Sequence, residues 1–117
     1  MPRIYTCGRP SKRTEFTYEG NSKDRAILKF PSENTTISSK LFKAAIDQFR
    51  GESLRGGFSM TNPTPGGFGE WVQNKSKILE KIPLTPRHAS FIAAILRNDG
   101  YLETVYDGGA VILKFKA

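Results

Sequence analysis

Side chains that could do chemistry are few in this sequence, and their spacing favours no catalytic arrangement. The chain has one histidine and one cysteine. His88 and Ser90 are two residues apart in a segment with helical periodicity, so they point about 200° away from each other and cannot act as base and nucleophile. Cys7 lies in the predicted basic arm, where a positioned catalytic thiolate is not expected. One cysteine excludes an internal disulfide, and one histidine with one cysteine excludes the usual zinc sites.

The carboxylates are scattered and form no pair of the kind that general acid–base catalysis needs. The glycine-rich run Gly66–Glu70 precedes a helical pattern, where free N–H groups could hold an anion. The run lacks the Lys-Ser/Thr ending of a P-loop, so a conformational need for glycine is the better explanation. We therefore expect no enzymatic activity, no catalytic residue, no metal and no cofactor.

The charge of the chain points to a different class of partner. Lys and Arg number 18 against 11 Asp and Glu, which gives a net charge of +7. Residues 1–13 contain bases and no acid, which predicts a flexible basic arm before a single domain over 14–117. Such an arm is either a solvated terminus or a contact for DNA phosphates, with Arg9, Lys12 and Arg13 as candidates. No segment suits a membrane span or a secretory signal, so we expect a cytoplasmic protein.

A second candidate surface lies on Pro86–Asn98, where apolar residues recur at helical spacing. The remaining stripe, about 100° wide, holds Arg87, Ser90, Ala94, Arg97 and Asn98. Basic and hydrogen-bonding residues around a small residue suit a helix that enters the major groove of DNA. A solvated stripe has the same composition, so both interpretations stay open.

A third candidate surface is the Gly/Pro-rich segment 51–69. Its six glycines and two prolines predict a long mobile loop. Within it, Arg55, Phe58 and Met60 offer one charge and apolar faces to a ligand, a partner or a nucleic acid. The alternative is a plain connector whose Phe residues pack back onto the core. Phe68, at its end, is expected to be buried against Trp71 or Val72.

Periodicity predicts the elements that carry these surfaces. Alternation predicts one β-hairpin over Glu15–Glu19 and Arg25–Phe30, and another over Tyr101–Tyr106 and Ala110–Lys116. Spacings of three and four predict helices over Ser38–Arg50, Phe68–Glu80 and Pro86–Asn98. The fold class is therefore α+β, a single domain in which two antiparallel β-hairpins share one core with three helices. The expected buried residues are Trp71, Phe42, Ile46, Phe49, Ile92, Leu96, Leu113 and Phe115.

The order of helix, short turn, helix and β-hairpin over residues 68–116 resembles a winged helix-turn-helix, most closely over Ala89–Glu103. The resemblance implies that the third helix enters the major groove and that Asp107–Gly109 forms the wing tip. Leu84–Gly100 is also similar to small unassigned bacterial proteins of mobile gene cassettes, which implies no activity. Gly8–Pro10 resembles the core of an AT-hook, which lies in the minor groove of A·T-rich DNA.

Two functions from different classes follow. The first is a small DNA-binding, regulator-like protein whose basic arm attracts the phosphates of double-stranded DNA while the third helix enters the groove. The second is a homodimeric protein-interaction or small-ligand-binding module without nucleic acid, because a domain this small has difficulty burying every apolar residue near its loops. Neither function involves a membrane.

Overall fold

The computed structural model describes residues 3–7, 15–30, 34–58, 64–80, 83–107 and 110–117. In chain order its elements are β1 (Arg3–Tyr5), β2 (Glu15–Asn21), β3 (Arg25–Lys29), β4 (Asn34–Ser38), α1 (Ser39–Phe49), β5 (Ser53–Arg55), α2 (Phe68–Leu79), α3 (Pro86–Asn98), β6 (Leu102–Asp107) and β7 (Ala110–Phe115). The strands form two antiparallel sheets, in the orders β1-β2-β3-β4 and β5-β7-β6. Together with the three helices in this part of the chain, they confirm the predicted α+β class.

The first sheet is a meander with an apolar inner face. Phe16 and Tyr18 of β2 and Ala26 and Leu28 of β3 are buried, and they alternate with more exposed neighbours. This alternation is what the sequence predicted for the first hairpin, which is confirmed. β4 was not predicted as a strand, because Ile37 is its single apolar residue and one residue defines no period.

The N-terminal strand corrects one expectation. Residues 3–5 form β1 and pair with β2, and Cys7 is fully buried, so this part of the chain is no flexible arm. A three-residue strand has too little sequence for its alternation to be detected, and its position depends on the open edge that β2 offers. Residues 8–13 of the predicted arm lie outside the described residues.

All three helices begin and end within one residue of their predicted bounds. The Thr85-Pro86 signal starts α3, where the Thr85 N–H donates to Nδ1 of His88 at 3.1 Å and completes a capping box. Gly100 ends the helix at φ +88°, a conformation that favours glycine. The Tyr101 N–H then donates to the Leu96 carbonyl at 2.9 Å, which turns the chain directly into β6.

The second sheet corrects the expectation of one long loop over 51–69. β5 pairs with β7, and the N–H of Gly56 continues the pairing to the Val111 carbonyl at 2.9 Å. The N–H of Gly69 in turn donates to the Gly56 carbonyl at 2.7 Å. A Cβ atom at Gly69 would overlap the carbonyl oxygen of Gly57, so these glycines let two backbone segments touch. Residues 59–63, which include Met60, lie outside the described residues.

One hydrophobic cluster joins both sheets and the three helices. The expected burial of Phe68 is confirmed, and its ring stacks on Trp71 with centroids 5.8 Å apart. Five of the eight expected core residues are buried: Phe42, Ile92, Leu96, Leu113 and Phe115. The expectation is wrong for Ile46, Phe49 and Trp71, which are only partly buried.

Leu96 tests the assignment of the α3 core face. It is fully buried, so Leu96→Ala should lower the free energy of unfolding by about 2–5 kcal/mol, through lost burial and the cavity that remains. Val105→Ala on the exposed side of β6 is the matched control and should cost less than about 0.5 kcal/mol. Urea denaturation measures both. A cost below about 1 kcal/mol for Leu96→Ala contradicts the assignment.

Gly69 tests the close backbone contact. Gly69→Ala should destabilise the protein by about 3 kcal/mol, because the added methyl group overlaps backbone that cannot rotate away. Gly66→Ala meets no atom within 4 Å and faces only the unfavourable φ of +75°, so it should cost about 1 kcal/mol. Equal effects of the two substitutions on the free energy of unfolding would show that the contact is not tight.

Candidate functional site

The middle of α3 is enclosed on every side. Every residue from Ala89 to Leu96 is buried, including Ala94 and the polar Ser90, which is 7% exposed. A helix that enters a DNA groove needs one open face along its middle. This face is occupied within the chain itself, because the first sheet packs against it.

Aromatic rings and the β1 segment form the cover over α3. The ring of Phe91 on α3 makes edge-on contacts with Phe16, at a centroid distance of 4.8 Å, and with Phe30, at 5.3 Å. Past the end of β1, the N–H of Cys7 donates to the Ser90 carbonyl at 3.3 Å. Such edge-to-face pairs stabilise a packed interface beyond the area that they bury. The sheet is therefore an integral part of the core around α3.

The predicted DNA-reading residues on α3 make contacts within the chain. The hydroxyl of Ser90 donates to the Arg87 carbonyl at 2.8 Å, so the expectation that Ser90 lies on an open stripe is wrong. Arg97 donates to the Tyr5 carbonyl at 2.9 Å, and Asn98 donates to the Tyr18 hydroxyl at 3.0 Å. The side chain of Arg87 is exposed and makes none of these contacts. From sequence this stripe could not be told apart from a solvated or DNA-contacting one, because small and polar residues suit contact with a strand equally well.

Two carboxylates attach the first sheet to the helices. Asp99 at the end of α3 accepts hydrogen bonds from both the N–H and the hydroxyl of Ser22, at 2.9 Å and 2.6 Å. Glu80 at the end of α2 accepts the same two bonds from Ser38, at 3.0 Å and 2.7 Å. The partners are 77 and 42 residues apart in sequence, so no local pattern predicts these contacts. Hydrogen bonds to a charged acceptor are the stronger kind.

The residues that first suggested chemistry have structural roles. Nδ1 of His88 accepts the Thr85 N–H at the start of α3, and Cys7 is enclosed between sheet and helix. Within the described residues no group of three His, Cys, Asp or Glu side chains could hold a metal ion. In the run Gly66–Glu70, Gly69 makes the backbone contact described above, and Gly66 adopts a φ of +75°.

Exposed cations without an ion pair are common on the described surface. They are Lys23, Arg25, Lys40, Arg55, Lys77, Arg87, Lys114 and Lys116. Arg55 and Lys114 lie on the outer face of the second sheet, since Arg55 stands opposite Ile112 and Lys114 is two residues further along β7. Lys116 continues that row, and Glu103, opposite Lys114, is an acid on the same face. This face, with Arg55, Lys114 and Lys116, is called the basic sheet face below.

An open groove of about 280 Å³ runs along α2. Its apolar walls are Phe49 at the end of α1 together with Trp71 and Ile78 on α2, and its polar groups include Glu70 and Lys75. The rings of Phe49 and Trp71 meet edge-on at 5.2 Å. A concave, mostly apolar surface with a few polar groups is the usual form of a binding site. The sequence missed it because these residues have core-type spacing.

The other predicted site residues lie apart from this groove. Arg55 is exposed on the basic sheet face, while Phe58 is half-buried and packs against the core. Arg9, Lys12, Arg13 and Met60 lie outside the described residues, as do Gly108 and Gly109 of the predicted wing tip. Of the residues that the sequence grouped as one DNA-binding set, the structure therefore describes the four on α3.

No family model, no curated protein and no solved structure matches this chain. None of the helices in the described ranges has both the length and the apolar character required to cross a bilayer. The arrangement of side chains is therefore the basis for any functional conclusion.

Tyr18 makes the sheet–helix contact sensitive to alkaline pH. Burial raises the pKa of its hydroxyl, the hydrogen bond from Asn98 partly lowers it, and Asp99 raises it further. As the pH rises, the Tyr18 hydroxyl therefore loses its proton in the unfolded chain before it does in the folded chain. The stability that the protonated hydroxyl contributes is complete below about pH 10 and declines as the pH rises toward its pKa in the folded chain. Tyr18→Phe should flatten this decline, and Asn98→Ala should steepen it. Urea denaturation between about pH 8 and about pH 11 measures both, and a decline that Tyr18→Phe leaves unchanged contradicts the assignment.

Proposed function

We propose that this chain binds double-stranded DNA through phosphate contacts, without insertion of α3 into the major groove. The observation that carries the proposal is the number of exposed cations that have no ion pair in the described part of the chain. Cations that no carboxylate neutralises remain available to phosphates, and phosphate contacts supply most sequence-independent affinity.

Exposed acids without an ion pair are fewer, which strengthens this argument. Asp24, Glu52 and Glu103 are of this kind, and Asp99 is held by Ser22. The basic sheet face gathers three of the free cations on one side of the molecule. Arg9, Lys12 and Arg13 are three further cations that lie close together in the sequence. The proposed DNA contact therefore combines these three residues with the basic sheet face.

The arrangement of elements also supports a DNA-binding function. From α1 onward the order is helix, strand, two helices and a β-hairpin, and β5 joins that hairpin to make the sheet order β5-β7-β6. The last four of these elements are those on which the predicted resemblance to winged helix-turn-helix proteins rests. Because α3 is enclosed, the proposed binding lacks base readout from that helix and discriminates weakly between sequences.

A second candidate function is a protein-interaction module without nucleic acid. The open groove along α2 favours it, because apolar side chains that line a concave surface gain free energy when a partner covers them. Band-shift and light-scattering measurements on the same preparation separate the two functions. A DNA-bound complex supports the first, and self-association without any DNA complex supports the second.

The salt dependence of DNA binding tests the first proposal. The triple variant Arg9→Gln, Lys12→Gln, Arg13→Gln should reduce the slope of log K against log salt by about 3 units, because each lost phosphate contact contributes about 0.9. This variant keeps β1, whereas removal of the whole N-terminal segment would uncover α3. Fluorescence anisotropy with a short labelled duplex, from about 50 mM to about 300 mM salt, measures the slope.

Matched variants identify the contact surface. Arg55→Gln with Lys114→Gln should reduce the slope by about 2 units, while Lys43→Gln, whose charge is already paired with Asp47 at 3.2 Å, should change it little. Two duplexes of equal length and unrelated sequence should bind within about threefold of each other. Absence of duplex binding at about 50 mM salt, or an unchanged slope in the triple variant, contradicts the proposal.

A further inference from the structure

We propose that the groove along α2 is the contact for a second copy of this chain, in a two-fold symmetric dimer with the two α2 helices antiparallel. This inference concerns a different surface from the DNA contact and does not depend on it. Its starting point is Ile78, whose side chain is 76% exposed, more than that of any other large apolar residue described. Ile78 lies two turns after Trp71 on the same helix, and both border the groove.

The face of α2 is complementary to itself in shape. Gly67, Glu70, Trp71 and Asn74 follow the spacing i, i+3, i+4, i+7, which is the spacing of the four residues around a hole in helix packing. All four line the groove. Gly67 has no side chain to fill the hole, and the partly buried ring of Trp71 supplies an apolar wall. Ile78 is the matching knob on the same face.

One symmetric arrangement places each knob in the other copy's hole. The hole is centred about four residues before Asn74, and Ile78 lies four residues after it, so each is roughly 6 Å from Asn74 along the axis. A two-fold axis beside Asn74 therefore brings Ile78 of each copy over the hole of the other. The two exposed Asn74 amides meet at the axis, where each can donate to the other. Such a contact is isologous and closes at two copies.

The charges agree with the same arrangement. Glu70 and Lys77 lie on one flank of this face, because seven residues return a helix to within about 20° of the same direction. In an antiparallel pair the same flank of the two helices faces itself across the contact. Glu70 of each copy therefore comes beside Lys77 of the other. The Glu70 carboxylate has one long hydrogen bond, from the Gly66 N–H at 3.2 Å, and Lys77 has no ion pair among the described residues. In the proposed pair the other flank places Lys75 of one copy beside Trp71 of the other, where a cation–π contact can form.

The first test is the concentration dependence of the molecular mass. A contact made by one helix and its groove is smaller than a standard interface, so we expect a dissociation constant of about 10 µM. Light scattering from about 1 µM to about 300 µM protein should follow the change from one chain to two. A mass of one chain across this range overturns the proposal.

Point variants then locate the contact. Ile78→Asp should raise the dissociation constant at least about tenfold, because it removes the apolar knob and places a carboxylate beside Glu70 of the other copy. The side chain is exposed in the single chain, so the fold is not at risk. Val105→Asp is the matched control, an exposed apolar residue on β6 that is 39% exposed, and should leave the dimer unchanged. A dimer that survives Ile78→Asp forms elsewhere, and that result also overturns the proposal.

Charge reversal tests the antiparallel register. Glu70→Lys and Lys77→Glu should each weaken the dimer by about tenfold, since each places like charges together twice. The double variant should recover most of the affinity of the unchanged chain, because both pairs are restored with reversed sign. Circular dichroism of all three variants checks that α2 remains helical. Additive losses in the double variant overturn the proposed register.

Discussion

The packing of the first sheet on α3 is the constraint on which the rest of the structure depends. α3 is apolar around most of its circumference, so α2 and the second sheet cannot cover it alone. The rings of Phe16 and Phe30 close the remaining side against Phe91. The carboxylates of Asp99 and Glu80 then hold Ser22 and Ser38 at two separate points, which fixes the sheet in rotation as well as in distance.

This packing bears on the function that the predicted resemblance to a winged helix-turn-helix implies. In a DNA-binding helix-turn-helix the recognition helix gains its free energy of contact from DNA. In this chain the side of α3 that would face DNA contacts strands of the same chain instead, including the β1 segment and the carbonyl of Tyr5. Among the surfaces that the sheet leaves open to a partner are the basic sheet face and the groove along α2.

The sequence predicts most of the fold because periodicity is a local signal. The three helices and two hairpins have enough residues for a period to be recognised, and Gly100 and Thr85 are local signals for a helix end and start. β1 and β5 have three residues each, and β7, the partner of β5, lies far along the chain from it. The candidate sites were harder to predict from sequence. Ser90 and Ala94 look like part of an exposed stripe, and only the structure shows that they are buried. The half-burial of Trp71 likewise depends on where α1 ends.

The exposure of Ile78 follows from contacts elsewhere on α2. Ser76, two residues earlier and about 200° around the helix, is fully buried, and its hydroxyl accepts the Leu84 N–H at 2.8 Å. A rotation that buried Ile78 would break this bond and leave a buried N–H without a partner, at a cost of about 1–3 kcal/mol. The same rotation would move Gly69 from its backbone contact with Gly56 and Gly57. α2 is therefore held with a polar residue inside and an apolar residue outside, and the apolar surface that remains open is available to a partner.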